Sequence, residues 1–471
     1  MNHDVGWILH VAERILDGGR YPSDWVDVNP PSVFWLHVAP VALARAVGAP
    51  PFLVFGLLVL VAVFATVAAS VRLGAPHWAP LRGESGWLTG AALTAVLTLG
   101  PGYAYGQREH LFSIAALPYL TAAAIRLEGG ALSRRACIAI GAAAGVGFAI
   151  KPFFLLAWLA VEGLLLWRLG RAAPRRPESV ALISVLAACA AALLSFAPQY
   201  LGVITEAAAL GLDRYNMPVS WLFWNWSIAV GIAAACAFAV WRPPERALHG
   251  VLLTAAAALW ACAAVQRRGW DYHFLPLELV ASCSLVLLAM SALVASRPAE
   301  SVWRARTLAV GWLAVLAASA AALATPLVRD TGPRVAFLAQ LVEAAREGAA
   351  GRPVLFLSTS VWPAYPIVNA SGAVSTSRFS CLWQLPAFEF AASRPRDAEA
   401  RFLDAFFEDL SRRPPALIFV DRARFKQGLG RRDFDLLDYF GRDPRMAPVL
   451  AEFVVWGDVG PYRLLHRRSA P

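Results

Sequence analysis

The chain has 471 residues, of which 58% are hydrophobic and only 16% are charged, and its mean hydropathy is +0.54. These values exclude a soluble globular protein, because soluble domains carry about 25% charged residues. The net charge of +10 does not indicate a nucleic-acid partner, since only two of the 42 basic residues are lysine, which is typical of a genome-wide arginine bias rather than of selection for phosphate. The composition predicts an integral membrane protein in contact with the lipid bilayer.

The first 50 residues form an acidic segment ahead of the long apolar runs. The segment has a rigid turn at Asn29-Pro30-Pro31, and residues 32–47 are apolar but short, which favours a helix lying along the membrane interface. A carboxylate held at that interface suits acid–base chemistry at a lipid headgroup. For Asp17 and Asp24, ordinary solvation is the favoured interpretation. The acids of the segment are Asp4, Glu13, Asp17, Asp24 and Asp27.

Ten apolar runs follow, most of them near the ~20 residues that a helix needs to cross a bilayer. They lie at 51–73, 87–103, 110–126, 136–150, 152–168, 179–200, 221–241, 247–265, 274–295 and 307–327. The chain is therefore predicted to be a mainly α, polytopic helical membrane protein with about ten spans.

After Val328 the pattern changes to alternating charged and apolar stretches. Strands are predicted at 354–358, 416–421 and 462–465, between helical stretches near 334–349, 397–413 and 432–440. The sequence thus predicts three domains: an acidic loop with interfacial helices (1–50), a transmembrane helical domain (51–327) and a soluble α/β domain (328–471). Five side chains of the last domain could stack on a saccharide, although most are expected in its core: Trp362, Tyr365, Arg378, Trp383 and Trp456.

The arginines predict the orientation in the membrane. If residues 1–50 lie outside, fourteen basic residues fall in the inner loops and five in the outer loops, in agreement with the positive-inside rule. The five are Arg108, Lys151, Arg214, Arg267 and Arg268. This places the C-terminal domain on the outer side of a bacterial inner (plasma) membrane. An outer N-terminus also leads us to expect a further apolar helix encoded upstream of Met1.

Two polar motifs interrupt the apolar runs on the predicted outer side. Arg108, Glu109 and His110 enter a membrane helix, which is costly unless they face a cavity or one another. A functional acid or metal ligand at Glu109 is one interpretation, and an Arg108–Glu109 pair is the other. Lys151 stands between two apolar runs, so its ammonium either faces a phosphate or reaches to the interface.

A third motif spans 266–273 and contains Arg267, Arg268, Tyr272 and His273. Two guanidinium groups beside a phenol and an imidazole could clamp a phosphodiester leaving group. An ordinary interfacial anchor is the alternative.

These motifs together resemble the GT-C superfamily of integral-membrane glycosyltransferases, in particular the branch of protein O-mannosyltransferases and the lipid A aminoarabinose transferase. The likeness in layout covers about 1–330 and includes Asp4, residues 18–21, Asn29-Pro30-Pro31 and the second acid Glu109. A Tyr-His-x-x-Pro run at 272–276 also resembles a later outer loop of related bacterial transferases. The chain departs from the pattern in lacking a first span, in Asn29 at a position that is often charged, and in Glu rather than Asp as second acid.

The resemblance implies an inverting transfer of a hexosyl or pentosyl group from a polyprenyl-phosphate donor to a lipid, polysaccharide or protein acceptor. In such a reaction Asp4 is the general base and Glu109 a second catalytic acid. The leaving phosphate would be held by Lys151, Arg267, Arg268, Tyr272 and His273. His3, Asn29, Arg108 and His110 would complete the active-site loops. No cofactor is certain, and Asn29 leaves the use of a divalent metal open.

Two other functions share some of these features. A transporter or flippase of a lipid-linked sugar needs the spans and the cationic sites but not Asp4 as a base. A ligase or polymerase uses the same kind of donor, but its main outer loop is expected late in the chain rather than first.

Overall fold

The computed structural model describes residues 2–210, 215–295, 334–390, 395–430 and 433–468. Most of these residues are helical. Among the described residues before 296 there are twelve α-helices: α1 (His3–Leu16), α2 (Pro31–Val47), α3 (Pro51–Gly74), α4 (Gly83–Leu99), α5 (Arg108–Leu127), α6 (Arg134–Ala149), α7 (Leu155–Leu169), α8 (Pro177–Phe196), α9 (Tyr200–Ala209), α10 (Trp226–Trp241), α11 (Arg246–Gln266) and α12 (Leu275–Ala295).

Six helical segments in the described chain are long and apolar enough to cross a membrane, so the protein is a multi-pass membrane protein. They are Pro51–Gly74, Arg108–Leu127, Pro152–Arg175, Pro177–Phe196, Arg246–Gln266 and Asp271–Ala295. The predicted count of ten is not confirmed. The runs at 87–103, 136–150 and 221–241 correspond to α4, α6 and α10, which have 17, 16 and 16 residues. The run at 307–327 lies outside the described residues.

The chain forms two compact units. We call Met1–Phe52, Leu193–Tyr215 and Val328–Pro471 the sheet unit, and Leu53–Ala192 and Asn216–Leu327 the helical unit. The first 52 residues thus share a unit with the C-terminal part of the chain. The domain bounds 1–50, 51–327 and 328–471 stay predictions.

The sheet unit contains a five-stranded sheet in the order β2-β1-β3-β5-β4. β1 is parallel to β2 and β3, whereas β5 is antiparallel to β3 and β4. The strands are β1 (Pro353–Leu357), β2 (Val374–Ser375), β3 (Leu417–Asp421), β4 (Phe453–Val459) and β5 (Tyr462–Arg467). The helices are α13 (334–349), α14 (Ala364–Ser371), α15 (Leu385–Phe390), α16 (Arg396–Arg412), α17 (Leu436–Gly441) and α18 (Met446–Ala451).

The three predicted strands fall on β1, β3 and β5. The core beside them is aromatic, because α16 presents Phe402 and Phe406 on one face at helical spacing. The rings of Phe406 and Phe440 stack with 4.3 Å between their centroids. β2 was not predicted because it has only two residues. β4 was not predicted because its apolar side chains Val454, Val455 and Trp456 follow one another, and all three are exposed, so the strand lacks the alternation of buried and exposed residues.

The N-terminal segment packs onto the C-terminal part of the sheet unit. Helix α1 lies on α14, where the rings of Trp7 and Tyr365 are 4.8 Å apart. The backbone N–H of Val26 donates to the carbonyl oxygen of Arg378, beside a parallel bridge to Phe379. Long-range packing therefore fixes the acidic segment, which sequence alone presents as a loop.

Helix α5 is the centre of the helical unit. It packs against α6, α7, α11 and α12, and its side chains are buried almost all round. Because α5 begins at Arg108, its first turn carries the polar motif 108–110 into this packed environment.

Candidate functional site

The helical unit pairs Glu109 with Lys151. Glu109 lies in the first turn of α5 and is fully buried, and Lys151 directly precedes the short helix Pro152–Phe154. The Lys151 ammonium donates to Glu109 Oε1 at 2.8 Å, with 10% of the lysine side chain exposed. Glu109 Oε2 is buried and has no hydrogen-bond partner among the described residues. Two residues predicted separately for a functional site thus form one buried ion pair.

Two aromatic residues lie close to this pair. Tyr272 and His273 belong to the short helix Asp271–Phe274 that leads into α12. The Lys151 ammonium is 5.9 Å from the centre of the Tyr272 ring, which is within cation–π range. The rings of Tyr272 and His273 meet edge to face at 4.8 Å, and His273 is buried.

Two arginines add positive charge around His273. The charges of Lys151, Arg108 and Arg268 all act on its ring. Arg108 is buried, and Arg268 donates to Asn216 Oδ1 at 3.1 Å. We call these six residues the cationic cluster: Arg108, Glu109, Lys151, Arg268, Tyr272 and His273. With three cations and one acid, the cluster carries excess positive charge and can bind an anion.

Arg267 and His110, which were predicted with these residues, have other contacts. Arg267 is exposed, adopts a left-handed backbone at the end of α11, and donates to the Met217 carbonyl oxygen at 3.5 Å. None of its contacts within the described chain is with the cationic cluster. His110 accepts the Gly106 N–H at Nδ1 (3.0 Å) and donates from Nε2 to the Leu97 carbonyl (2.7 Å), so both ring nitrogens bind backbone groups.

A second buried polar group in the helical unit has balanced charge. It consists of Arg126, Glu162, Arg176 and Glu178, and we call it the paired-charge cluster. Arg126 donates to both oxygens of Glu178 at 2.9 and 3.2 Å, and Arg176 donates to Glu162 at 2.5 Å. Glu162 lies within an apolar run, and its ion-pair partner gives it a structural role.

In the sheet unit, Asp4 lies in the first turn of α1. The side chain of Asn2 caps this helix by accepting the backbone N–H groups of Asp4 (2.9 Å) and Val5 (3.3 Å). The Asp4 side chain is 18% exposed, and its carboxylate lies 3.5 Å from His3 Nε2. A helix N-terminus favours negative charge, so α1 presents an accessible carboxylate with an imidazole beside it.

Asp27 is a functional candidate that sequence analysis did not single out. Its Oδ2 accepts the Trp7 indole N–H at 2.6 Å, and its Oδ1 accepts the backbone N–H (2.7 Å) and side-chain amide (2.6 Å) of Asn29. Asp27 therefore fixes Asn29 ahead of Pro30-Pro31 and ties that turn to α1. The Asp-x-Asn spacing, which favours such a local turn, was the available signal.

Asp27 and Asp4 share a neighbour in Cys381. Burial raises the pKa of the Cys381 thiol to about 12, and the carboxylates of Asp27 and Asp4 raise it as well. The stretch beginning at Phe379, which pairs with Val26, thus lies near both carboxylates. The sheet unit contributes its own C-terminal residues to the surroundings of Asp4.

The expected solvation of Asp24 is wrong. Asp24 is buried and accepts hydrogen bonds from Arg412 (3.0 Å), Arg413 (2.8 Å) and the backbone N–H of Arg20 (2.9 Å). Burial raises the pKa of Asp24, but these donors outweigh burial, and the net pKa is lowered. Asp17 is exposed, as expected, and pairs with Arg45 at 2.7 Å.

The proposed saccharide-stacking side chains divide into two groups. Tyr365 is buried in the core, and Arg378 is held by Asp409 and Glu408, so neither presents a free face. Trp456 is exposed on β4, and Trp362 and Trp383 are partly exposed.

A metal site was left open by the sequence. Within the described ranges, no three His, Cys, Asp or Glu side chains are grouped so as to hold a metal ion. We therefore assign no residue as a metal ligand.

Two crystal structures of ArnT from Cupriavidus metallidurans share this architecture. The structure bound to undecaprenyl phosphate aligns with a TM-score of 0.56 at 13% identity, over 98% of this chain and 93% of that chain. The apo structure aligns with a TM-score of 0.52 at 12% identity, over 98% and 92%. The chain has the ArnT fold.

ArnT is the lipid A aminoarabinose transferase, a GT-C glycosyltransferase. The predicted resemblance to this branch of GT-C enzymes is thus confirmed at the level of the fold. No family model matches the chain, and no curated protein sequence does.

Proposed function

We propose that the protein is a membrane glycosyltransferase that takes its sugar from a polyprenyl-phosphate donor. The observation that carries this proposal is the excess positive charge of the cationic cluster in a chain with the ArnT fold. An ArnT crystal structure contains undecaprenyl phosphate, and a largely buried group of three cations and one acid, of which Arg268 is partly exposed, is suited to such a phosphate. The lipid partner is therefore a polyprenyl phosphate that carries the sugar.

The cluster supplies the charge that the leaving group needs. When the bond between the sugar and the phosphate breaks, a phosphodiester with one negative charge becomes a phosphomonoester with two. Lys151, Arg108 and Arg268 supply positive charge at the site where the negative charge of the phosphate develops, which lowers the energy of the transition state. A lipid phosphate stabilised in this way is a good leaving group and needs no general acid.

Asp4 acts as the general base in this proposal. The acceptor hydroxyl oxygen attacks the anomeric carbon from the side opposite the phosphate, which inverts the configuration. The hydroxyl proton passes to the Asp4 carboxylate, and the electron pair of the broken bond stays on the phosphate oxygen. The partial exposure of Asp4 and its place at a helix N-terminus support this role.

The remaining parts of the proposal rest on the sequence. The sugar is a hexosyl or pentosyl group, and the acceptor is a lipid, a polysaccharide or a protein. The arginine distribution places the reaction and the C-terminal residues on the outer side of a bacterial plasma membrane.

Transfer from radiolabelled undecaprenyl-phosphate sugars to membrane acceptors tests the proposal. Asp4→Asn should abolish transfer while undecaprenyl phosphate still binds. Asp17→Asn is the matched control, since Asp17 follows the last turn of the same helix and forms an exposed pair with Arg45. A donor that crosses the bilayer without transfer, unaffected by Asp4→Asn, would contradict the proposal and indicate a flippase.

A further inference from the structure

The Lys151–Glu109 pair presents a conflict that the proposed donor site must resolve. A phosphate that reaches the Lys151 ammonium also approaches Glu109, whose Oε1 is 2.8 Å from that ammonium. Two anions would then share one buried lysine. Like charges in a buried site repel strongly, because little water screens them.

We propose that Glu109 is a resident counter-ion that the lipid phosphate displaces from Lys151, so that Glu109 sets the affinity for the phosphate and the rate of its release. The inference rests on the proposed function, because it assigns a role within the same phosphate site. It makes Glu109 a positioning residue that acts through Lys151, rather than an acid that takes part in bond breaking.

The geometry explains why a counter-ion is needed when the site holds no phosphate. Burying a charged ammonium without a partner is costly, and only 10% of the Lys151 side chain is exposed. Glu109 is fully buried beside it and compensates that charge. The pair therefore keeps Lys151 charged and in place until an anion arrives.

The same geometry explains why the pair can be exchanged. Glu109 Oε2 is buried without a hydrogen-bond partner in the described part of the chain, so only Oε1 of this carboxylate accepts a hydrogen bond there. An incompletely bonded buried pair is less stable than a fully bonded one. Lysine carries three rotatable N–H donors on a flexible stem, which allows it to change partners. The Tyr272 and Phe154 rings, 5.9 and 6.0 Å away, keep the ammonium near the cluster.

Exchange also suits the direction of the reaction. The phosphate gains one negative charge during transfer, so its hold on Lys151 strengthens as the reaction proceeds. Return of Glu109 to Lys151 then assists release of the polyprenyl phosphate product. A variant without the Glu109 charge should bind the product too tightly, and both kcat and KM should fall.

The test measures binding of undecaprenyl phosphate to the full chain in lipid nanodiscs, with undecaprenol as the uncharged comparison. Glu109→Gln should tighten binding of undecaprenyl phosphate about tenfold or more and leave undecaprenol unchanged. Lys151→Met should weaken binding of undecaprenyl phosphate. Glu109→Gln should increase the affinity much less in the Lys151→Met background than in the wild type, because the two residues act through one another. Glu162→Gln is the matched control, because Glu162 is a glutamate of the same unit that pairs with Arg176 in the other cluster.

Unchanged or weaker binding by a folded Glu109→Gln variant would overturn the proposal. If that variant does not fold, infrared difference spectra of the wild type test whether the phosphate changes the environment of the Glu109 carboxylate. Undecaprenyl phosphate, but not undecaprenol, should shift a carboxylate stretching band that Glu109→Asp moves, and the absence of a shift would overturn the exchange.

The binding test also separates this inference from the proposed function. Tighter binding by Glu109→Gln together with no transfer from any donor would refute the transferase and keep the counter-ion role. Normal transfer by the wild type together with unchanged binding by Glu109→Gln would refute the counter-ion role and keep the transferase.

Discussion

Trp7 donates its indole N–H to Asp27 Oδ2 at 2.6 Å, and this bond joins the helix that carries Asp4 to the turn that contains Asn29. Both residues are buried. The bond couples two segments of the N-terminal acidic region, and we expect the position of Asp4 to depend in part on it.

Trp7→Phe should therefore affect catalysis through position. Phenylalanine keeps the ring contact with Tyr365 but removes the N–H, and the loss of a buried hydrogen bond to a charged group costs about 1.5–3 kcal/mol. We expect a lower kcat for transfer with an unchanged KM for the donor, whose proposed phosphate site is in the helical unit. Trp456→Phe, at an exposed tryptophan of the same unit, is the control, and equal effects of the two variants would contradict the role of the bond.

The burial of His10 leads us to predict that the protein loses stability in mild acid. Burial lowers the pKa of His10 well below 6.5, and the charges of Arg14 and Arg413 lower it further. The unfolded chain then binds a proton that the folded chain does not, so stability is complete above about pH 6.5 and falls below it, by up to about 1.4 kcal/mol per pH unit.

Melting temperatures at pH 7.5 and 5.5 check this expectation. The wild type should lose more stability between these values than His10→Gln does, because the variant has no imidazole to protonate. His77→Gln, at a partly exposed histidine of the helical unit, should behave like the wild type. A wild type and a His10→Gln variant with parallel pH profiles would show that His10 does not cause the loss.

The Arg126–Glu178 pair should be far more important for stability than the Arg45–Asp17 pair. Glu178 is fully buried, whereas the side chains of Arg45 and Asp17 are 43% and 64% exposed. Removing one partner of a buried pair costs about 3–5 kcal/mol because the other charge remains buried, and an exposed pair contributes about 0–1 kcal/mol. Glu178→Gln should accelerate thermal inactivation strongly and Asp17→Asn hardly at all. Similar inactivation rates for both would contradict this assignment.

Local patterns in the sequence identified single residues but not their partners. Glu109 and Lys151 were each singled out because a polar residue in an apolar run is costly, yet their pairing depends on how α5 packs against its neighbours. Asp24 was misjudged for the same reason, since Arg412 and Arg413 are almost 390 residues away in the chain. The ArnT-like fold was anticipated because its signals are local: apolar runs, the acid at Asp4 and the Pro-Pro turn. The count of ten spans stays a prediction, because a run of apolar residues does not fix where its helix begins and ends.

Gly106 offers a test of how the first turn of α5 is positioned. It has a left-handed backbone (φ +79°), its N–H donates to His110, and a Cβ there would lie 2.7 Å from the Phe55 ring. Gly129 has nearly the same backbone (φ +75°) but open space around it.

Alanine in the left-handed region costs about 1–2 kcal/mol at either position, so both variants should melt at lower temperatures. Only Gly106→Ala must also displace Phe55 or the turn that leads to Arg108 and Glu109. It should therefore weaken undecaprenyl phosphate binding severalfold while Gly129→Ala leaves it intact, and equal affinities in the two variants would show that the cationic cluster does not depend on this turn.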